Sequence, residues 1–456
     1  MKKLFTYLAC LLLCVSFLLT GCGTDLNVPT GDVLSNGGSV VTVGDYVYFA
    51  NTYVDYSTLT GNANTESTTQ HNSIFRVLTD EYGFTTTNED GQIENVDEVY
   101  SKIAGFDNSN MYILGEYLYF TSPNAHKDNN GDDRFDLTTL YRMRLDGTGL
   151  REIFTTSESR GEFFFATGDE NFVLIYDNSE VTKIGIGNNI SSPKTLVSDV
   201  TDVAFPSEFG AIDAFYYTVA LSQEDQDAGL TGNKLYRYDM STNTAMQLTQ
   251  VSRAITLVGY TNGMLYYKQD DGTSLAPYYS IKNYNSFGSD RIQWTVLGEI
   301  DGTDSIANFT PINENNTVYE AESKIFLATK GQGSLANYSV LVDEDATIEF
   351  VYGDYVYYTT ANGIYRISYR DKTVQTLAEM SNIQQGACDL VYDEDGNAEY
   401  IYFYAQLSTN STDTYYCHRA NIHTATLNNP QIRVECIASV LEEDLNGTGS
   451  DTTENA

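Results

Sequence analysis

The chain has 456 residues, with 62 acidic side chains against 25 basic ones and a formal net charge of −37. Loss of Lys2 and Lys3 with a cleaved leader takes the remainder to about −39. A field of that sign repels nucleic acid and anionic lipid head groups, and it favours cationic partners and divalent metals.

The N-terminus reads as an export leader. Lys2 and Lys3 are followed by an uncharged, mostly apolar run from Leu4 to Leu19, then by Leu19-Thr20-Gly21-Cys22. A basic start, a short apolar stretch and small residues at the cut define such a signal. The apolar run is shorter than the roughly 20 residues that a membrane-spanning helix needs. Cys22 directly after the small residues resembles the bacterial lipobox. That resemblance implies a diacylglyceryl thioether on Cys22, which becomes the new N-terminus and is then acylated. Two or three acyl chains would anchor the chain firmly to the outer side of a membrane. Residues 1–21 are thus the signal, and 22–38, rich in Gly, Asn, Ser and Thr, a tether.

Beyond the tether, 36 tyrosines and few prolines point to strands. One pattern returns along the chain: a turn, then alternating aromatic and aliphatic residues. It reads Gly44-Asp45-Tyr46-Val47-Tyr48-Phe49, again from Gly115 to Phe120, and again from Gly353 to Tyr358. Looser copies run from Asn262 to Tyr267 and from Glu399 to Tyr404. Weaker ones cover Asn171 to Tyr176, Asp213 to Thr218 and Lys324 to Ala328. A second pattern follows the first, as in Ile74-Phe75-Arg76-Val77, Leu140-Tyr141-Arg142-Met143, Leu235-Tyr236-Arg237-Tyr238 and Ile364-Tyr365-Arg366-Ile367. Period-2 alternation between Gly-Asp or Asn-Gly turns predicts antiparallel meanders. The units recur about every 50 residues, which suits the four-stranded blades of a β-propeller. The expected fold is all-β, a propeller of eight blades, or alternatively seven, over residues 39–440, with an acidic, disordered tail at 441–456.

The stretch Leu140 to Ile153, with Gly115 to Phe120 before it, resembles the bacterial propeller lipoproteins of the DUF5050 type, which are similar in style to the YWTD propellers of lipoprotein receptors. The resemblance implies a propeller and extracytoplasmic binding. It implies no catalytic residues.

The best chemical motif is Asp128-Asn129-Asn130-Gly131-Asp132-Asp133-Arg134-Phe135-Asp136. Side-chain oxygens of Asp128, Asn130, Asp132 and Asp136, with the backbone carbonyl of Arg134, suit a structural calcium ion. The spacing resembles the calcium-binding hairpin loops of integrin-type propellers. Asp133 stands where glycine is usual, and Thr139 stands where an EF-hand has its bidentate carboxylate. Asp393-Glu394-Asp395-Gly396-Asn397 reads as a turn.

Other constellations are thin. His418 and His423 fall on opposite faces of a strand and make no zinc site, and His71 and His126 stand alone. Cys388, Cys417 and Cys436 remain after the leader and lipidated cysteine are set aside. They are either one Cys417–Cys436 disulfide with a spare thiol, or three buried thiols. Trp294 and the Tyr278-Tyr279 pair line a sugar-binding face or pack a core. The sequons at Asn189 and Asn308 carry no meaning behind a bacterial lipobox. The leading functional expectation is a monomeric, non-enzymatic binding or scaffolding module at the cell envelope, for a protein, peptide or glycan. The alternative is an extracytoplasmic hydrolase or lyase acting on carbohydrate, with two carboxylates converging in the central funnel.

Overall fold

The computed structural model describes residues 38–44, 46–53, 73–80, 83–84, 97–100, 111–122, 137–157, 161–167, 170–206, 212–250, 254–269, 278–282, 291–294, 306–332, 335–392, 398–407, 414–423 and 434–438. They form eight antiparallel sheets arranged as the blades of a β-propeller. Eight blades, not seven, is therefore the count.

In blade 1, β1 (Val40–Val43) pairs with β2 (Tyr46–Ala50), β3 (Thr52–Tyr53) leaves for another blade, and β4 (Ile74–Asp80) returns beside β2 with β5 (Gly83–Phe84) and β6 (Asp97–Tyr100) paired to it. Blade 2 is β7 (Tyr112–Leu114), β8 (Tyr117–Ser122), β9 (Thr139–Arg144) and β10 (Arg151–Thr155). Blade 3 is β11 (Glu162–Ala166), β12 (Phe172–Asp177), β13 (Glu180–Gly185) and β14 (Lys194–Val197). Blade 4 is β15 (Val200–Ala204), β16 (Ala214–Ala220), β17 (Asn233–Asp239) and β18 (Thr244–Gln250). Blade 5 is β19 (Ile255–Thr261), β20 (Met264–Gln269), β21 (Tyr278–Ile281) and β22 (Ile292–Gln293). Blade 6 is β23 (Ala307–Asn313), β24 (Asn316–Ala321), β25 (Lys324–Lys330) and β26 (Ala336–Val342). Blade 7 is β27 (Thr347–Tyr352), β28 (Tyr355–Thr360), β29 (Gly363–Ser368) and β30 (Val374–Glu379). Blade 8 is β31 (Asp389–Tyr392), β32 (Ala398–Ala405), β33 (Tyr415–Asn421) and β34 (Val434–Cys436).

The turn-Tyr-x-Tyr repeat is the second strand of a blade, and the Arg-bearing repeat is the third. Gly44, Gly115 and Gly353 open the hairpins at φ of 53°, 58° and 58°, a region open to glycine at little cost. One weak copy is corrected. Lys324 to Ala328 is the third strand of blade 6, and Asn316–Ala321 is its second. Both follow tight turns and alternate alike, so the local pattern does not separate them. One element was not anticipated, a single helical turn at Gln223–Asp227. Ser222 and Asp225 cap each other's backbone there, a Ser-x-x-Asp signal visible in the sequence.

Among the described residues the core is divided rather than central. Eight apolar clusters each join two neighbouring blades, from Val41, Tyr48, Ile113 and Phe120 between blades 1 and 2 to Val40, Phe49, Tyr402 and Tyr404 between blades 1 and 8. A blade has two apolar faces, so each must be covered by a neighbour. Closure comes from both chain ends. Along the outer edge of β33, β3 pairs with Tyr415 and Tyr416, and β34 pairs with His418 to Ala420. Cys417 sits at the junction. It donates its N–H to the carbonyl of Asn51 (3.1 Å) and accepts from the N–H of Ile437 (3.0 Å).

The repeated tyrosines and arginines bolt blades together. The second Tyr of the repeat faces the Arg of the next strand in five blades: Tyr48–Arg76, Tyr119–Arg142, Tyr216–Arg237, Tyr357–Arg366 and Tyr402–Arg419. In blade 1, the Tyr48 hydroxyl and the Arg76 guanidinium both donate to the Leu145 carbonyl of blade 2, at 2.7 and 3.0 Å. In blade 2, Arg142 donates to the Gly187 carbonyl of blade 3, whose N–H donates to the Tyr119 hydroxyl (2.9 Å). Arg366 reaches the Ile422 carbonyl of blade 8 in the same way (3.3 Å). The first Tyr of each repeat lies under the guanidinium: Tyr46, Tyr117 and Tyr355 at 5.1, 4.0 and 4.5 Å. Such cation–π and charge-assisted contacts gain from partial burial.

Replacing Arg142 by Met should therefore lower stability by about 1–3 kcal/mol, because it also leaves the Gly187 carbonyl unsatisfied. Lys183→Met, which removes a cation stacked on Phe172 (4.2 Å), should cost at most about 1 kcal/mol. Urea unfolding midpoints measure both, and an unchanged midpoint for Arg142→Met would show that the clamp does not hold the blades.

Candidate functional site

The antiparallel meander gives the ring two unlike faces. The upper face is where first strands begin, so it carries the second-to-third and fourth-to-first connections. The lower face carries the others. First-to-second turns at the lower face are two residues long in blades 1, 2, 5, 6 and 7. The Tyr–Arg clamps lie at that same end, because they reach carbonyls just past the third strands. The connections between second and third strands at 123–138, 221–232, 270–277 and 406–414 leave from the upper ends of their strands, and those between third and fourth strands at 81–96, 282–291 and 422–433 leave from the lower ends. The Asp128–Asp136 motif belongs to the first of these connections and lies outside the described residues. So do Cys22, His71, His126, the turn at 393–397 and the segments 22–37 and 441–456.

Near the upper face, carboxylates take the place of the lower-face clamps. Asp202 on β15 accepts the N–H of Leu257 on β19. Glu320 on β24 accepts the N–H of Ile348 on β27. Glu349 on β27 accepts from Gly386 (2.9 Å) and Cys388 (3.1 Å) ahead of β31, and from the Thr359 hydroxyl (2.6 Å). Asp389 on β31 accepts the Ser39 N–H (2.8 Å) and hydroxyl, closing the ring from blade 8 to blade 1. A Cβ at Gly38 would meet the Asp389 carboxylate at 2.8 Å, so glycine is required beside it. Burial pushes the carboxyls of Asp202, Glu349 and Asp389 above the ordinary range, against the opposing pull of these donors.

Glu162, the first residue of β11, is exposed at the upper mouth. Crowding by its surroundings, and then the charge of Asp202 on the neighbouring blade, push its carboxyl up. Asp202 is engaged at both oxygens, by the N–H of Val203 and that of Leu257. Among the described residues, no group of three or more His, Cys, Asp or Glu could hold a metal ion.

The remaining candidates are structural. Trp294 is fully buried and donates its indole N–H to the Ser280 hydroxyl (2.7 Å), so it packs the joint of blades 5 and 6 and is no sugar platform. Tyr279 is buried, and Tyr278 stacks on Phe309. His418 is buried against Phe403 with Nδ1 2.7 Å from the Tyr416 carbonyl. Burial lowers its pKa to about 4. His423 places Nε2 2.9 Å from the Ala398 carbonyl. Cys388, Cys417 and Cys436 carry no disulfide. Cys436 pairs with His418, which puts its side chain on the opposite face of the sheet from Cys417. Burial raises all three thiols, Cys436 to about 12, and leaves them unreactive. Among the described residues no helix is long and apolar enough to cross a membrane.

No protein-family model and no curated protein matches the chain. Among solved structures, it is similar to a prolyl endopeptidase (TM-score 0.44, 10% identity, over 84% of this chain and 56% of that one). It is also similar to the β-propeller domain of the Trilobed protease from Pyrococcus furiosus (TM-score 0.41, 10% identity, 75% and 98%). A third is oligogalacturonate lyase in complex with manganese (TM-score 0.41, 11% identity, 67% and 86%). The chain thus spans little more than half of the first, and none of the three assigns chemistry to it.

The raised carboxyls carry a definite pH dependence. A folded pKa above the unfolded one means that the folded chain holds the proton more tightly. The resulting stability is present below the ordinary carboxylate range and is lost as pH rises through the raised values. Thermal unfolding should thus occur at higher temperature near pH 5 than near pH 8. Asp389→Asn, which keeps an acceptor for Ser39 without the charge, should hold stability at pH 8 within about 1 kcal/mol and reduce the slope. Asp389→Ala should cost about 1–3 kcal/mol. Equal losses in both variants with an unchanged slope would contradict this role.

Proposed function

We propose that this chain is a lipid-anchored, extracytoplasmic propeller of the DUF5050 type that binds or scaffolds an envelope partner (a protein, peptide or glycan) without chemistry of its own. The upper face is its binding surface. The observation that carries this reading is the division of labour between the faces. The lower ends carry two-residue first-to-second turns in five blades together with the Tyr–Arg clamps, whereas the second-to-third connections at 123–138, 221–232, 270–277 and 406–414 leave from upper ends that hold no such clamp, and connections of this kind tolerate variation. Carboxylates such as Asp202, Glu349 and Asp389 are occupied as joints between blades, a structural use that supports a scaffold.

The alternative, a carbohydrate hydrolase or lyase, draws on one specific observation: Glu162 carries a raised carboxyl next to Asp202. The lipid on Cys22 and a structural calcium ion in the Asp128–Asp136 loop belong to the proposal as well. Calcium there requires a melting temperature that rises with millimolar calcium and falls with EDTA.

In-cell crosslinking with the lipidated, C-terminally tagged chain should recover one stoichiometric partner. Shortening the connections at 221–232 and 270–277 should abolish that recovery while leaving the fold intact. Recovery of no partner, together with cleavage of an envelope polysaccharide that is lost in Glu162→Gln, would replace binding by catalysis.

A further inference from the structure

Each blade ends in an outer strand, and an outer strand presents a row of backbone N–H and C=O groups to which a further strand can add. Folded proteins guard such edges with charged side chains, proline or very short strands. Most outer strands of this ring are guarded. A charged residue stands in β6, β10, β14, β30 and β34, and β22 is only two residues long. The uncharged β26 is capped from the next blade, where the Lys372 ammonium donates to the Val340 carbonyl (3.3 Å).

β18 has none of these guards. Its seven residues, Thr244–Gln250, include no charge and no proline. It is the last strand of its sheet, and among the described residues nothing pairs with its outer edge. Thr244, Ala245, Met246 and Gln247 are all exposed, Met246 by 48%. Alternate residues of a strand point to opposite sides, so both sides of β18 are open as well as its edge.

The strand is nevertheless held straight. Thr244 to Gln247 pair in regular register with Asp239 to Tyr236, and the one bulge falls after them, at Leu248. The Tyr236 ring stacks on Tyr217, and its hydroxyl bonds Gln247 (3.1 Å). The turn into β18 is closed by Asp239, whose Oδ1 accepts the N–H groups of Ser241 and Thr242, both at 3.0 Å. An edge fixed in advance loses little freedom when a strand joins it.

We infer that the outer edge of β18 docks an extended segment of a partner protein, which adds to blade 4 as a fifth strand. The free backbone groups specify the occupant, because only an extended chain offers N–H and C=O groups at the matching spacing. The net charge of −37 on each copy opposes edge-to-edge pairing of two copies and disfavours an acidic segment. The occupant is thus a proline-free segment poor in acids. This contact lies on the rim and does not depend on the reading of the upper face.

Hydrogen exchange of the purified full chain, with and without a synthetic peptide, tests it. The peptide alternates threonine and valine between lysine ends. It is N-methylated at every second residue, so one edge stays free to pair and self-association is blocked. The expected result is slowed exchange within Thr244–Gln250, with β10, β14, β26 and β30 unchanged. The same peptide methylated at every residue should slow nothing. Ala245→Lys with Gln247→Lys, which supplies the missing guard, should weaken binding at least about tenfold, whereas Asn337→Lys with Ser339→Lys on β26 should change it less than about twofold. Successive N–H groups of a strand point to opposite sides, so one of Met246→Pro and Gln247→Pro removes an outward donor and leaves the pairing with β17 intact. The one that keeps the original melting temperature should also lose binding. Exchange that is unchanged everywhere, or slowed equally on all outer strands, overturns the inference. So does a concentration-dependent dimer that protects β18 without peptide, since the occupant would then be a second copy. Recovery of the in-cell partner by the Ala245→Lys, Gln247→Lys chain would leave the upper-face reading standing whatever the peptide does.

Discussion

A four-stranded blade of this chain cannot stand alone, because both of its faces are apolar and each needs a neighbour. That constraint puts the stabilising interactions between blades. The eight apolar clusters each span two blades, so burial accumulates joint by joint around the ring. Burial is non-directional, however, and leaves the angle between blades loosely set. Direction comes from polar bolts: Tyr and Arg at the lower ends, and carboxylates accepting backbone N–H groups nearer the upper ends. A buried acceptor or guanidinium without its partner costs more than the bond itself gains. These bolts therefore select one geometry more than they add net stability.

The ring also has a weak point, the joint between the first and last blades. It is reinforced from both ends of the chain. β3 and β34 share the outer edge of β33, the Tyr404 hydroxyl donates to the Ala50 carbonyl (2.9 Å), and Asp389 holds Ser39. Pairing of that edge also removes an exposed strand that would invite association. With the clamps, the carboxylate joints and the closing joint in place, connections that carry none of them can vary without cost to the fold.

Much of this was legible in the sequence. The turn-Tyr-x-Tyr and x-Tyr-Arg-x repeats are strong in blades 1, 2 and 7, where the clamps are complete, because the residues that make the joint are the residues that repeat. Where the clamp is replaced, the repeat fades. Blade 3 carries Lys183 over Phe172, blade 5 has Ser280 opposite Tyr266 with Trp294 bonded to it, and blade 6 has Phe326 opposite Tyr319. Those substitutions leave Trp294 outside the repeat that marks a joint, and they give Lys324–Ala328 the look of a second strand. The carboxylate joints were not legible. Asp202, Glu320, Glu349 and Asp389 bond residues 55, 28, 37 to 39 and 350 positions away, at no common spacing, and nothing local marks them among 62 acids. The register that parts Cys417 from Cys436 likewise appears only once β33 and β34 are paired.

The central claim is that the ring is one cooperative unit held by its joints, the closing one included. Native-state hydrogen exchange of the joint amides measures this most directly. The amides of Ser39, Leu257, Ile348 and Cys388 should exchange only through global unfolding, with the same free energy as the central strand amides of β8 and β28. Fast, independent exchange at Ser39 and Cys388, with the other joints still protected, would contradict it and show a ring that opens between its first and last blades.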